Sequence, residues 1–147
     1  MPRNQDPYDL NRFVEAQASN YDDALAELRA GNKETHWSWY VFPQIRGLGS
    51  SPMSVRYAIS SKAEASAYLE HAVLGPRLRE CVKAMNAHQG KSASQILGDI
   101  DAQKFRSCLT LFVQAAPSEA VFGDGLNKYF GGKPDAATLA ILAKVHT

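Results

Sequence analysis

What this chain lacks narrows its class before any motif is considered. It has only two cysteines, Cys81 and Cys108. Both fall in helical patterns at core-like positions, which reads as reduced thiols rather than a disulfide scaffold. No His and Cys spacing matches a metal site, so no metal is expected. No Gly-x-Ser-x-Gly elbow or phosphate-binding fingerprint is present, and no cofactor is called for. The formal net charge is only +1, which argues against a dedicated nucleic-acid binder. No apolar run approaches the roughly 20 residues that span a bilayer, so no membrane partner is expected. The polar start, Met1 to Pro7, lacks the apolar core of a signal peptide, and the expected location is cytoplasmic. Repeats, linkers and low-complexity tracts are absent, so residues 1–147 read as a single domain.

Strict period-two alternation is also missing. In its place is helix punctuation along most of the chain. Asp6-Pro7 reads as an N-cap followed by proline, with Leu10, Phe13 and Val14 on one face. Asn20 and Gly31 bracket the stripe Tyr21, Ala24, Leu25 and Leu28. Thr35 and Pro43 bound a short helix through an aromatic cluster, although Trp37 to Phe42 is also the best strand candidate. Ser51-Pro52 starts another helix, and Ser61 to Glu64 reads as a capping box. Gly75-Pro76 reads as a break before the stripe Leu78, Cys81, Val82 and Met85. Ser92 to Leu97 is short. Asp101 precedes Phe105, Cys108, Leu109 and Phe112, and Gly131-Gly132 ends a helix carrying Phe122 and Leu126. Asp135 caps a last helix with Leu139, Leu142 and Val145 or His146 inward. The predicted fold is all-α, a compact bundle of about seven to nine helices, several short.

The densest chemistry lies between His36 and Pro52. Both tryptophans fall there. Trp37, Trp39, Tyr40 and Phe42 offer flat apolar faces for a planar ligand. On a helix these rings cannot all point into one core, so some of them line a cleft or the segment is wrapped on both sides. The loop Gly47-Leu48-Gly49-Ser50-Ser51 leads into a helix bearing Tyr57. It offers backbone amides and hydroxyls to an anion, with Arg46 and Arg56 nearby. The plainer reading is a tight interhelix turn with Ser51 as an ordinary cap. His36 and Gln44 are the polar groups beside the rings. His71, Lys104 and Ser107 join them if their segments reach the same cleft. Asp99 and Asp101 read as capping residues ahead of a helix rather than as a catalytic carboxylate pair.

The string His36-Trp37-Ser38-Trp39-Tyr40-Val41-Phe42-Pro43-Gln44 with Gly47-Leu48-Gly49-Ser50 resembles the signature block of the domain-of-unknown-function 1810 family. Tyr68-Leu69-Glu70-His71 with Leu74-Gly75-Pro76-Arg77-Leu78 fits a second block. Lys104 to Ser107 with Thr110-Leu111-Phe112, and then Lys128 to Gly132, fits a third. The resemblance runs from about Phe13 to Leu142. Ala72 departs from the proline that often follows the histidine, and Cys108-Leu109 replace a more usual Ser-Met. The resemblance implies a compact all-helical fold and no particular activity.

Three functions compete on this reading. The first is binding of a small planar anionic, nucleotide-like molecule at residues 36–52. The second is a metal-independent hydrolase or glycosidase acting on a nucleotide-derived metabolite, with His36 or a loop-proximal carboxylate as base. The third is an interaction module that docks another chain on exposed rings.

Overall fold

Ten helices run through residues 6–144, the part of the chain that the computed structural model describes. They are α1 (Asn11–Gln17), α2 (Tyr21–Ala30), α3 (Ser38–Val41), α4 (Pro52–Arg56), α5 (Lys62–Glu70), α6 (Leu74–Asn86), α7 (Ala93–Leu97), α8 (Asp99–Ala115), α9 (Ala120–Phe130) and α10 (Ala136–Lys144). The fold is all-α. The helix count lies slightly above the expected seven to nine, and the short segments α3, α4 and α7 are among the helices. No helix among the described residues is long and apolar enough to cross a membrane.

The longest helix, α8, is the central post. Its residues Ala102, Phe105 and Ser107 through Phe112 are buried, and it packs against α3, α5, α7, α9 and α10. Phe105 touches the rings of Phe42, Tyr129 and Phe130, and Phe112 touches Tyr68 and Phe122. The core is therefore one continuous aromatic and aliphatic cluster. Burying such rings is the main stabilising term of the fold. The last helix, α10, holds more loosely. Leu139 and Leu142 are only half-buried, and Thr138 is its one buried residue among those described. The inward place expected for Val145 or His146 lies outside the described residues.

Some predicted caps act as expected, whereas Asn20, at the N-cap of α2, instead donates from its side-chain amide to the Ala16 carbonyl and the Tyr40 hydroxyl. Ser51, Ser61 and Ser92 each accept a backbone amide three residues on, and Gly31 ends α2 in the left-handed region. The differences have physical causes. Asp6 accepts the amides of Leu10 and Asn11, so Pro7 lies in a preceding turn and α1 starts later than expected. Glu64 sends its carboxylate to Ser60 and Arg12 instead of back to the Ser61 amide, leaving only half of the capping box. Thr35 caps nothing, because its hydroxyl donates to Glu27. Gly75-Pro76 breaks no helix, since α6 begins at Leu74 and runs through both. Proline in a first turn forfeits no intrahelical bond, as those amides have no partner there anyway. Asp101 lies inside α8 and pairs with lysines, while Gly98 takes the N-cap place.

Two devices hold the loop around α4. An isolated parallel bridge joins Ile45 to Ile59, with the Arg46 amide donating to the Ile59 carbonyl and the Ile59 amide donating to the Gln44 carbonyl. The Arg12 guanidinium, from α1, donates to the carbonyls of Arg56 and Ala58 and to the Glu64 carboxylate. The loop is thus stapled at both ends of residues 45–59.

Candidate functional site

A cleft of about 600 Å³ opens where three distant stretches meet: Trp39 to Ala58, the first half of α8, and residues 135–137. The staples on the 45–59 loop build one wall. The other wall is one face of α8, where Asp99, Ile100, Gln103, Lys104 and Ser107 follow helical spacing. Asp135 and Ala137, at the start of α10, complete it.

Of the residues expected at a site, Trp39, Gln44, Gly47, Gly49, Tyr57, Lys104 and Ser107 line this cleft. The others do not. Trp37 is 1% exposed and donates its Nε1–H to Glu27 at 3.0 Å. Phe42 is buried against Phe105. Burial on those two contacts resolves the crowding of rings in this segment and leaves Trp39, half-buried, as the tryptophan facing the cleft. His36 is exposed, and its carbonyl accepts the Tyr40 hydroxyl. Ser50 is exposed in the loop outside the lining, and Ser51 is used as the α4 cap. The Nδ1 of His71 accepts the amides of Val73 and Leu74 and so closes the turn into α6.

The glycine loop is explained by packing. Gly47 has φ +108°, and a Cβ there would lie 3.2 Å from Ile141 Cδ1. A Cβ on Gly49 would lie 2.8 Å from Ser54 Oγ. The positive φ of Gly47 favours glycine there, and a side chain at Gly49 would have to displace the Ser54 side chain. At the start of α4 the Ser54 amide is already taken, by Ser51 Oγ at 3.1 Å.

The cleft's charges come from side chains. Lys104 Nζ lies 4.3 Å from the Trp39 ring centroid and 3.4 Å from Asp101 Oδ1. Asp101 Oδ2 lies 2.8 Å from Lys33 Nζ. Burial alone pushes the Asp101 carboxyl up, but Lys33 and then Lys104 outweigh it and hold it below the usual carboxylate range. Arg46 forms no ion pair among the described residues. The Asp135 carboxylate is heavily engaged, with one donor on Oδ1 and the others on Oδ2. It accepts Gln103 Nε2 at 2.9 Å, Ser107 Oγ at 3.2 Å, the Thr138 amide at 3.0 Å and the Thr138 hydroxyl at 2.5 Å. Burial raises its carboxyl, yet these donors prevail and lower it. Asp99, Ile100, Gln103 and Asp135 were not expected at a ligand site. Extending the Lys104 and Ser107 spacing back by one turn reaches Ile100 and Gln103, and a second turn reaches Asp99, whereas Asp135 arrives only through the packing of α10 on α8.

Fold and cleft together define an all-helical protein with a ring-lined, mixed-charge cleft between its central helix and a stapled loop. The chain belongs to the family described as "Protein of unknown function (DUF1810)", which matches residues 7–142. Among solved structures it is similar to the conserved hypothetical protein Rv1873 from Mycobacterium tuberculosis. That match has 54% sequence identity and a TM-score of 0.93, and it covers 94% of this chain and 99% of the other. No curated protein matches.

Proposed function

We propose that the cleft binds a small molecule carrying a planar ring and an anionic group, a nucleotide or a nucleotide-derived metabolite. The observation that carries this reading is the meeting of Trp39 and Tyr57 with Lys104 and Arg46 in one cleft of about 600 Å³. That volume suits a ligand of this size, and ring-lined clefts with a few polar groups are the common form of such sites. Binding is favoured over hydrolysis. His36 lies outside the cleft lining, and the Asp135 carboxylate already accepts four hydrogen bonds. A nucleotide at Trp39 would meet no assembled acid–base pair there.

Tryptophan fluorescence tests the reading directly, since Trp37 is buried and supplies a constant background while Trp39 reports on the cleft. Titration with AMP, ADP-ribose, nicotinamide and flavin cofactors and simple anions should give a saturable change with the ring-bearing anions. The same titration of Trp39→Phe should show none. A flat response across the panel would reject the proposal. Val55 and Ile100, 54% and 76% exposed, also line this cleft and favour a second reading, docking of another chain on this face. Light scattering that shows a rising mass with concentration, lost in Ile100→Ser, would favour that reading over the first.

A further inference from the structure

Lys104 occupies the place that a stacked ring would need. Its ammonium lies 4.3 Å from the Trp39 ring centroid, and both residues line the cleft. Its one carboxylate partner among the described residues, Asp101, is shared. Asp101 makes its shorter contact, 2.8 Å, to Lys33, and a longer one, 3.4 Å, to Lys104. Lys33 is held fast. Its side chain is 6% exposed, and its ammonium also donates to the Thr35 carbonyl at 2.5 Å. The Lys33–Asp101 pair is therefore close to neutral and fixed, and it cannot cancel the charge of a second ammonium. Lys104 keeps that charge at the cleft wall, tethered loosely, with the electron-rich face of Trp39 as a substitute for a counter-ion. Of the other charges lining the cleft, Arg46 is like-signed, Asp135 is held by Gln103, Ser107 and Thr138, and Asp99 is exposed and forms no ion pair with Lys104.

We propose that Lys104 is the specificity-determining residue of this cleft. In the free protein it covers the Trp39 face. When a planar ring takes that face, the ammonium moves onto the ligand's anionic group. This inference rests on the binding role proposed above and sharpens it. The ligand class is a ring compound with a negatively charged group close to the ring, such as a nucleoside monophosphate. A neutral ring evicts the ammonium and offers it nothing in return. A cationic ring adds repulsion.

Isothermal titration calorimetry with AMP and adenosine, which share a ring and differ in the phosphate, tests this without depending on Trp39 emission. Wild type should bind AMP tighter than adenosine by about tenfold or more, the usual weight of one charge-assisted hydrogen bond. In Lys104→Met the AMP affinity should fall to the adenosine level, while adenosine binds as well as before or better, because no ammonium has to leave the Trp39 face. Lys104→Arg should keep the preference. In wild type, raising the ionic strength should weaken AMP and leave adenosine unchanged. An AMP preference that survives in Lys104→Met would overturn the assignment and leave the binding role standing. Equal loss for both compounds in that variant would also overturn it, since that is what a merely structural lysine would show. Absence of any binding of AMP and adenosine to wild type would overturn this inference, and a flat response across the wider panel as well would remove the binding role.

Discussion

Glu27 shows how much one carboxylate can organise. It sits on α2, 9% exposed, and accepts four hydrogen bonds: the amides of Glu34 and Thr35 at 2.8 and 3.0 Å, the Thr35 hydroxyl at 2.7 Å and the Trp37 indole at 3.0 Å. These bonds tie the loop after α2 to the aromatic segment that feeds the cleft. Burial pushes the carboxyl up, but the donors, Thr35 first, outweigh it and bring its pKa from the ordinary 4.5 down to about 2. The folded value lies below the unfolded one. The stabilisation is therefore full above about pH 4.5 and is lost as pH falls toward 2. Glu27→Gln should cost about 1–3 kcal/mol at neutral pH, the range for disturbing a buried charged acceptor. It should also flatten the fall of melting temperature over that acid range. Thermal melts across pH check this, and parallel curves for variant and wild type would show that another group is responsible. Nothing in the pattern of α2 marks this residue, because two of its donors are backbone amides that any residue but proline would have supplied.

At the scale of elements, the junction of α5 and α6 is where local reading and packing disagree most. Gly75 sits in the first turn of α6, and a Cβ there would lie 2.1 Å from the Leu69 carbonyl oxygen and 2.9 Å from Arg79 Nη1. That carbonyl is backbone and also accepts Arg79 at 3.2 Å, so it cannot yield easily. In an open helix, Gly→Ala stabilises by about 0.5–1 kcal/mol. Here the sign should reverse, and Gly75→Ala should destabilise by about 2 kcal/mol or more through overpacking. The midpoint of urea denaturation measures this, and an unchanged or higher midpoint would mean that the two helices part without cost. The Gly-Pro pair is visible in the sequence, but its role depends on the end of α5 lying against it. Caps such as Ser51, Ser61 and Gly31 were legible because each needs only residues within about one turn.

At the scale of the whole molecule, the two thiols report on how the core opens. Cys81 on α6 and Cys108 on α8 are fully buried and unpaired. Burial pushes the Cys81 thiol up to about 12 and raises that of Cys108 as well. Thiolate is the reactive form, so neither should react while the fold is closed. Labelling with a maleimide, followed by mass spectrometry, should be slow in native buffer and should accelerate together for both sites as denaturant approaches the unfolding midpoint. Rapid native labelling of one cysteine alone would show that its helix opens separately.

The all-α class and most helix limits were written in short-range chemistry: capping side chains, turn glycines and apolar stripes that act across a few residues. The aromatic segment was equally plain. Which of its rings faces a cleft was not, because Trp37 turns to Glu27 and Phe42 to Phe105, partners 10 and 63 positions away in the chain. The cleft itself exists because a stapled loop, one face of α8 and the first residues of α10 pack together. Such contacts depend on the shapes and volumes of side chains brought together by the whole core, and no local pattern encodes them.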